Sequence, residues 1–229
     1  MNTRSLRDAI RAVIIDLDGT LLDTIPDLAA ASNAMRVDLG LPPLSQQTIA
    51  RYVGKGAEIL VHRALTDSLD GRVAAEHFER GMAAFHHHYE RENGRHARLY
   101  PGVAEGLAAM RALGLRLACV TNKPQQFADP LLVRAGLAPY FELTLGGDAL
   151  PRRKPDPLPL LHVGERFGAP PAQTLMIGDS SNDARAARAA GMPVLVVPYG
   201  YNEGQPVSSI DADGVVESLL QAADWIAAR

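Results

Sequence analysis

The 229-residue chain holds one cysteine, one tryptophan and only 5% aromatic residues. A single cysteine cannot close an internal disulfide, which excludes a stapled secreted scaffold and fits a reducing, cytoplasmic setting. Cys119 stands in the apolar run Leu117-Ala118-Cys119-Val120, where a buried, inert thiol is expected. No apolar stretch reaches the roughly 20 residues that span a bilayer. Met1 to Arg11 mixes charge with short apolar pieces and has no signal-peptide core. Positive charge is not in excess either. With 23 basic against 26 acidic residues the net charge is −3, so the basic footprint of a nucleic-acid binder is missing. An anionic substrate must therefore be held by a few placed cations or by a metal. Internal repeats and low-complexity tracts are absent as well.

What is present is an ordinary globular composition, 47% hydrophobic and 21% charged, long enough for one or two domains. Ala12-Val13-Ile14-Ile15 is short, β-branched and wholly apolar, as expected of a strand buried on both faces. Similar runs recur at 115–120, 143–145, 175–177 and 194–197. Helical periodicity separates them at 103–113, 125–136, 157–168 and 181–191, and several of these segments stop at glycine. This alternation predicts an α/β fold with a parallel sheet covered by helices. Residues 23–96 break the rhythm. They carry helical patterns at 27–39, 45–52, 56–66 and 72–92 and no convincing strand, which predicts a helical lid inserted after the first strand.

In open parallel sheets, ligands bind at the carboxyl ends of the strands. There the sequence places Asp16-Leu17-Asp18-Gly19-Thr20, then Thr121-Asn122, then Lys154-Pro155-Asp156-Pro157, then Gly178-Asp179-Ser180-Ser181-Asn182-Asp183. Carboxylates converging on one point repel unless a cation sits between them, and such oxygen ligands suit Mg²⁺. Asp16 and Asp179 are the natural ligands, with Asp183 binding directly or holding metal waters. With Lys154 opposite the metal, a carboxylate can attack a phosphoryl group and split hydrolysis into two steps. Asp18 is placed to protonate the leaving oxygen and then deprotonate water. Thr121 and the Asn122 amide can donate to phosphate oxygens.

Asp16-Leu17-Asp18-Gly19-Thr20-Leu21, Thr121-Asn122, Lys154-Pro155 and Gly178 to Asp183 resemble, in order and spacing, the four motifs of the haloacid dehalogenase-like hydrolase superfamily. The resemblance spans nearly the whole chain. It implies a Rossmann-like core of residues 1–22 and 97–229, with a helical cap of residues 23–96 hinged near Asp23 to Pro26 and Arg98 to Gly102. It also implies Asp16 as nucleophile and metal ligand, and Asp18 as general acid/base with its carbonyl on the metal. Thr121 and Lys154 would hold phosphate, and Asp179 and Asp183 would complete a Mg²⁺ site. Dehalogenases of the superfamily lack an acid where Asp18 stands, so phosphate chemistry on a small phosphorylated metabolite is expected. Val53-Gly54-Lys55-Gly56-Ala57-Glu58, Asp23-Thr24-Ile25-Pro26-Asp27-Leu28 and Tyr199-Gly200-Tyr201-Asn202 are similar to bacterial phosphoglycolate phosphatases. A cap-helix N-terminus with Arg51 or Lys55 would then receive the substrate carboxylate. Lys55 departs from the small polar residue expected there. Amino-sugar phosphates, pyrophosphate, mutase action on a glucose phosphate and an idle regulatory member remain alternatives. Monomer and homodimer are both compatible with the composition.

Two competing metal readings fail on spacing. An EF-hand needs glycine at the sixth loop position and glutamate at the twelfth, but here Gly19 is fourth and Asp27 twelfth. His86-His87-His88 point about 100° apart on a helix and cannot converge on one ion. A cap-helix face is expected for them, and Trp225 is expected to pack on the last helix.

Overall fold

The computed structural model describes residues 10–228. The expectations for residues 1–9, and the place of Arg229 in the core, lie outside the described residues. The apolar runs form a six-stranded parallel sheet of β1 (Ala12–Ile15), β4 (Arg116–Val120), β5 (Leu143–Leu145), β6 (Thr174–Gly178), β7 (Val194–Val196) and β8 (Gly214–Val215), in the order β5-β4-β1-β6-β7-β8. From β1 the chain crosses to β4 and β5. It then returns to β6 on the other side of β1. The reversal opens a crevice between β1 and β6, at the carboxyl ends of the two most central strands.

Side chains alternate between the two faces of the sheet, and each face builds its own core. Val13, Ile15, Leu117, Cys119, Leu175 and Ile177 pack with α5 (Val103–Ala112), α6 (Gln125–Arg134) and α9 (Leu219–Ala227). Ala12, Ile14, Ala118, Val120 and Met176 pack with α7 (Leu158–Phe167) and α8 (Ser181–Ala190). Strands covered on both faces explain the continuous apolar runs, which show no alternation. Cys119 is buried and free, and burial pushes its thiol pKa up, in keeping with an inert residue. Trp225 packs against the first of these cores.

Residues between β1 and β4 supply α1 (Ile25–Asp38), α2 (Gln46–Tyr52), α3 (Ala57–Thr66) and α4 (Ala75–Glu92). These share a third core with Ile25, Leu28, Met35, Ile49, Leu60, Val61, Phe85 and Tyr89, joined by Phe127 of α6. The insert is entered and left through a short antiparallel ribbon, β2 (Leu22–Asp23) with β3 (Arg98–Leu99). The buried Asp27 carboxylate closes the same junction, accepting from the amides of Gly94 (2.8 Å), His96 (2.7 Å) and Ala97 (3.2 Å). His86 to His88 lie on α4, where His88 pairs with Asp38 at 2.6 Å and His86 packs edge-on to Phe127. No helix among the described residues is long and apolar enough to cross a membrane.

Candidate active site

The sheet delivers its chemistry to one edge because each central strand ends directly before a polar residue. Asp16 follows β1, Thr121 follows β4 and Asp179 follows β6, on three adjacent strands. All three are buried, as are Lys154 and Asp183. Asp16, Asp179 and Asp183 each offer an oxygen, and these atoms lie within 4.8 Å of one another. Close approach is possible because Gly19, with φ of +89°, and Gly200 press their backbones against Asp179, where any β-carbon would collide with its carboxylate.

Each carboxylate is held differently. Asp179 accepts from the Thr20 hydroxyl at 3.2 Å and from the backbone amide of Tyr201. Asp183 uses one oxygen for Lys154 Nζ at 2.7 Å. Its other oxygen takes the Ser180 amide (3.1 Å), the Ser180 hydroxyl (2.7 Å) and the Asp179 amide (3.3 Å). That second oxygen is part of the capping box that starts α8. Lys154 Nζ also donates to the Val120 carbonyl at 2.6 Å and lies 2.8 Å from Asp16 Oδ1. The Asp16 contact is an ion pair without hydrogen-bond alignment, and Asp16 Oδ1 is left without an aligned donor.

Of the three clustered carboxylates, Asp16 and Asp183 thus share one ammonium, and Asp179 has none. Burial pushes the Asp16 pKa up to about 7; Lys154 opposes the shift, while Asp183 and Asp18 add to it. Burial, then the charges of Asp183 and Asp16, raise Asp179 well above the usual carboxylate range. For Lys154 burial works against the charge, but Asp16 and Asp183 outweigh it and hold its pKa above the ordinary lysine value. A buried excess of carboxylate over ammonium has the chemistry of a hard divalent cation site. The donor set fits Mg²⁺.

Asp18 stands beside this cluster. Its Oδ1 accepts from the Thr24 hydroxyl at 2.6 Å and from Lys123 Nζ at 2.8 Å. The Thr121 hydroxyl accepts from the Lys123 amide at 3.1 Å, which fixes the turn after β4. The Asn122 side chain donates to the carbonyls of Gly54 (3.0 Å) and Lys154 (2.9 Å), tying insert to core. Asp16, Asp18, Thr121, Asn122, Lys154, Asp179 and Asp183 all line one cavity. Its opposite wall is Leu28, Leu60, Phe85, Tyr89 and Phe127.

Lys55 and Arg51 stand elsewhere. Lys55 reaches Glu203 at 2.8 Å, as does the buried Arg63 at 2.6 Å, while exposed Arg51 runs alongside Gly204. Neither lines the cavity, although Gly56 and Ala57 at the start of α3 do. Lys123, Thr20, Thr24 and Tyr89 also reach the site, and no motif in the sequence assigns them a role there. Lys123 follows directly on Thr121-Asn122, and that adjacency was the available signal.

The sequence matches the profile of haloacid dehalogenase-like hydrolases over residues 10–191. The chain belongs to this family. It is 54% identical over 214 residues to a phosphoglycolate phosphatase of Thiobacillus denitrificans, covering 93% of this chain and 94% of the relative. A phosphoglycolate phosphatase of Nitrosospira multiformis is also 54% identical, over 217 residues, with 95% and 96% covered. A crystal structure of a predicted phosphoglycolate phosphatase from Haemophilus somnus 129PT superposes with a TM-score of 0.89 at 33% identity, over 97% of this chain and 99% of that one. As a member of this hydrolase family, the chain has the Rossmann-like α/β core that its strand order describes.

Proposed function

We propose that the chain is a cytoplasmic, magnesium-dependent phosphatase that hydrolyses 2-phosphoglycolate to glycolate and phosphate through an aspartyl-phosphate on Asp16. The observation that carries this reading is the buried cluster of Asp16, Asp179 and Asp183, with Lys154 paired to Asp16 and Asp183 and with Asp18 alongside. The names of relatives at 54% identity support the choice of substrate. Residues 23–96 serve as the cap and the rest of the chain as the core.

Asp16 and Asp179 would hold Mg²⁺, with Asp183 close enough to complete the oxygen set. When bound, the ion neutralises a phosphoryl oxygen and lowers the repulsion between anionic nucleophile and anionic ester. An Asp16 carboxylate oxygen attacks phosphorus, and the bond from phosphorus to the glycolate oxygen breaks. Asp18 gives its proton to that departing oxygen. Asp18 then takes a proton from water, whose oxygen attacks the same phosphorus, releasing phosphate and restoring Asp16. Lys154 and Thr121 face the phosphoryl group. Asp183 spends one oxygen on Lys154 and the other on the turn from Asp179 to Asp183, so its main work is positioning both.

The test is an initial-rate comparison with Mg²⁺ across phosphoglycolate, pyrophosphate, glucose phosphates and amino-sugar phosphates. Phosphoglycolate is expected to have the highest kcat/KM. A higher value for another ester overturns the substrate. Interconversion of glucose phosphates without phosphate release would make the protein a mutase.

A further inference from the structure

Lys123 is the second buried ammonium at the cavity, and the mechanism above gives it no task. It stands in the turn after β4, 5% exposed, where its side chain donates to Asp18 Oδ1 at 2.8 Å and lies against the Tyr89 hydroxyl. An ammonium has three donors, so this one keeps capacity for a ligand oxygen. Its Nζ sits 5.0 Å from the centre of the Tyr89 ring. Tyr89, on α4 of the insert, is 2% exposed and lines the same cavity. Its buried hydroxyl oxygen lies against the Lys123 ammonium, and its own O–H meets no acceptor. Buried donors are nearly always paired, so an O–H without an acceptor at the wall of a cavity fits a ligand oxygen.

We infer that Lys123 and Tyr89 form a subsite for the carboxylate of a short phosphorylated acid, and that this pair selects the substrate. The inference rests on the phosphatase reading above and specifies which residues recognise the organic part. A leaving oxygen protonated by Asp18 must lie within about 3 Å of it. In a phosphorylated two-carbon hydroxy acid, one methylene separates that oxygen from the carboxylate. The carboxylate therefore falls beside Asp18's neighbour, Lys123, and within reach of the Tyr89 hydroxyl. A sugar phosphate would place a neutral, hydroxyl-bearing carbon there. The surrounding wall of Leu28, Leu60, Phe85 and Phe127 offers its hydroxyls no partner. Lys154 does not take this role, because the mechanism above sets it against the phosphoryl group, between Asp16 and Asp183. Lys55 and Arg51, expected from sequence to bind the carboxylate, do not line the cavity. Because Lys123 comes from the core and Tyr89 from the insert, the subsite exists only when the two are packed together.

The experiment compares phosphoglycolate with ethyl phosphate, which replaces the carboxylate by a methyl group, in the full chain with Mg²⁺. The readout is the ratio of their kcat/KM values, since Lys123 also touches Asp18 and its loss slows both esters. Tyr89→Phe keeps the ring packing and is expected to lower the ratio about tenfold, through KM for phosphoglycolate. Lys123→Met is expected to lower it about a hundredfold, with Lys123→Arg recovering part. Inhibition by glycolate should weaken in Tyr89→Phe, while inhibition by inorganic phosphate holds. A wild-type preference for phosphoglycolate that survives both Tyr89→Phe and Lys123→Met overturns the subsite and leaves the substrate standing. A wild-type ratio near one overturns both.

Discussion

The two walls of the cavity are built on opposite principles. One is assembled from strand-end loops and gathers Asp16, Asp18, Lys154, Asp179 and Asp183 into a buried, negatively unbalanced cluster. The other is a packed apolar face, Leu28, Leu60, Phe85 and Phe127, interrupted by the Tyr89 hydroxyl. The charged wall is costly to bury, and the cores on both sheet faces hold it in place. The apolar wall is stable without a ligand and says little about phosphate. Reaction thus belongs to the charged wall, while selection spans both through Lys123 and Tyr89, and a substitution of Asp16 should leave the packing of the apolar wall intact.

The sharpest break is Asp16→Asn. The amide matches the carboxylate in shape but is a poor nucleophile, so turnover of phosphoglycolate and ethyl phosphate should both fall by at least about 10⁴-fold in kcat. Packing of the apolar wall is untouched. The loss of one crowded carboxylate should leave the thermal midpoint unchanged or raise it. Residual kcat above a few per cent would remove Asp16 as nucleophile. A collapsed midpoint would mean that the two walls are not independent.

The charged wall was far more legible in the sequence than the apolar one. Strands buried on both faces appear as short continuous runs, and the residue after each run lies at the sheet edge, so Asp16, Thr121 and Asp179 could be placed without coordinates. Strands β2, β3 and β8 are two residues long and carry no readable period. The first of them puts a strand at Asp23, inside a stretch that had promised only helices. Lys123 was indistinguishable from a solvated surface lysine until Asp18 and Tyr89 were seen around it. The Lys55 partner is hidden for a related reason: Glu203 lies 148 positions away, and only folding brings them together.

A second prediction concerns the charge imbalance itself. In metal-free protein the Asp16 pKa is raised from 3.8 to about 7. A raised carboxylate favours the folded state fully below pH 3.8 and loses that contribution as pH rises toward 7. The midpoint in chelator should therefore fall by several °C between pH 5 and pH 8, an effect on the order of a few kcal/mol. Mg²⁺ binds the ionised carboxylates, so its stabilisation should grow over the same interval. Thermal melts with and without Mg²⁺ at both pH values decide it. A metal effect larger at pH 5 would mean that the cluster is already ionised and balanced without the ion.

The smallest expected effect lies on the seam between the walls. Glu203 comes from the core, adopts a left-handed backbone with φ of +50°, and places its carboxylate between Lys55 and the buried Arg63 of the insert. A non-glycine residue pays for that conformation, so the contact it permits should matter to how insert and core hold together. Arg63 keeps the carbonyls of Tyr52 (3.1 Å) and Leu69 (2.8 Å) after Glu203→Gln, which limits the damage. About 1 kcal/mol of stability is expected to go, with a two- to fivefold rise in KM for phosphoglycolate and little change in kcat. Because Lys55 is 39% and Glu203 27% exposed, salt screens part of the pair. Raising ionic strength should then raise KM in the wild type and have less effect in the variant. Equal salt sensitivity in both proteins would remove the Glu203 pair from the seam and leave the Asn122 bond to the Gly54 carbonyl as the tie that matters.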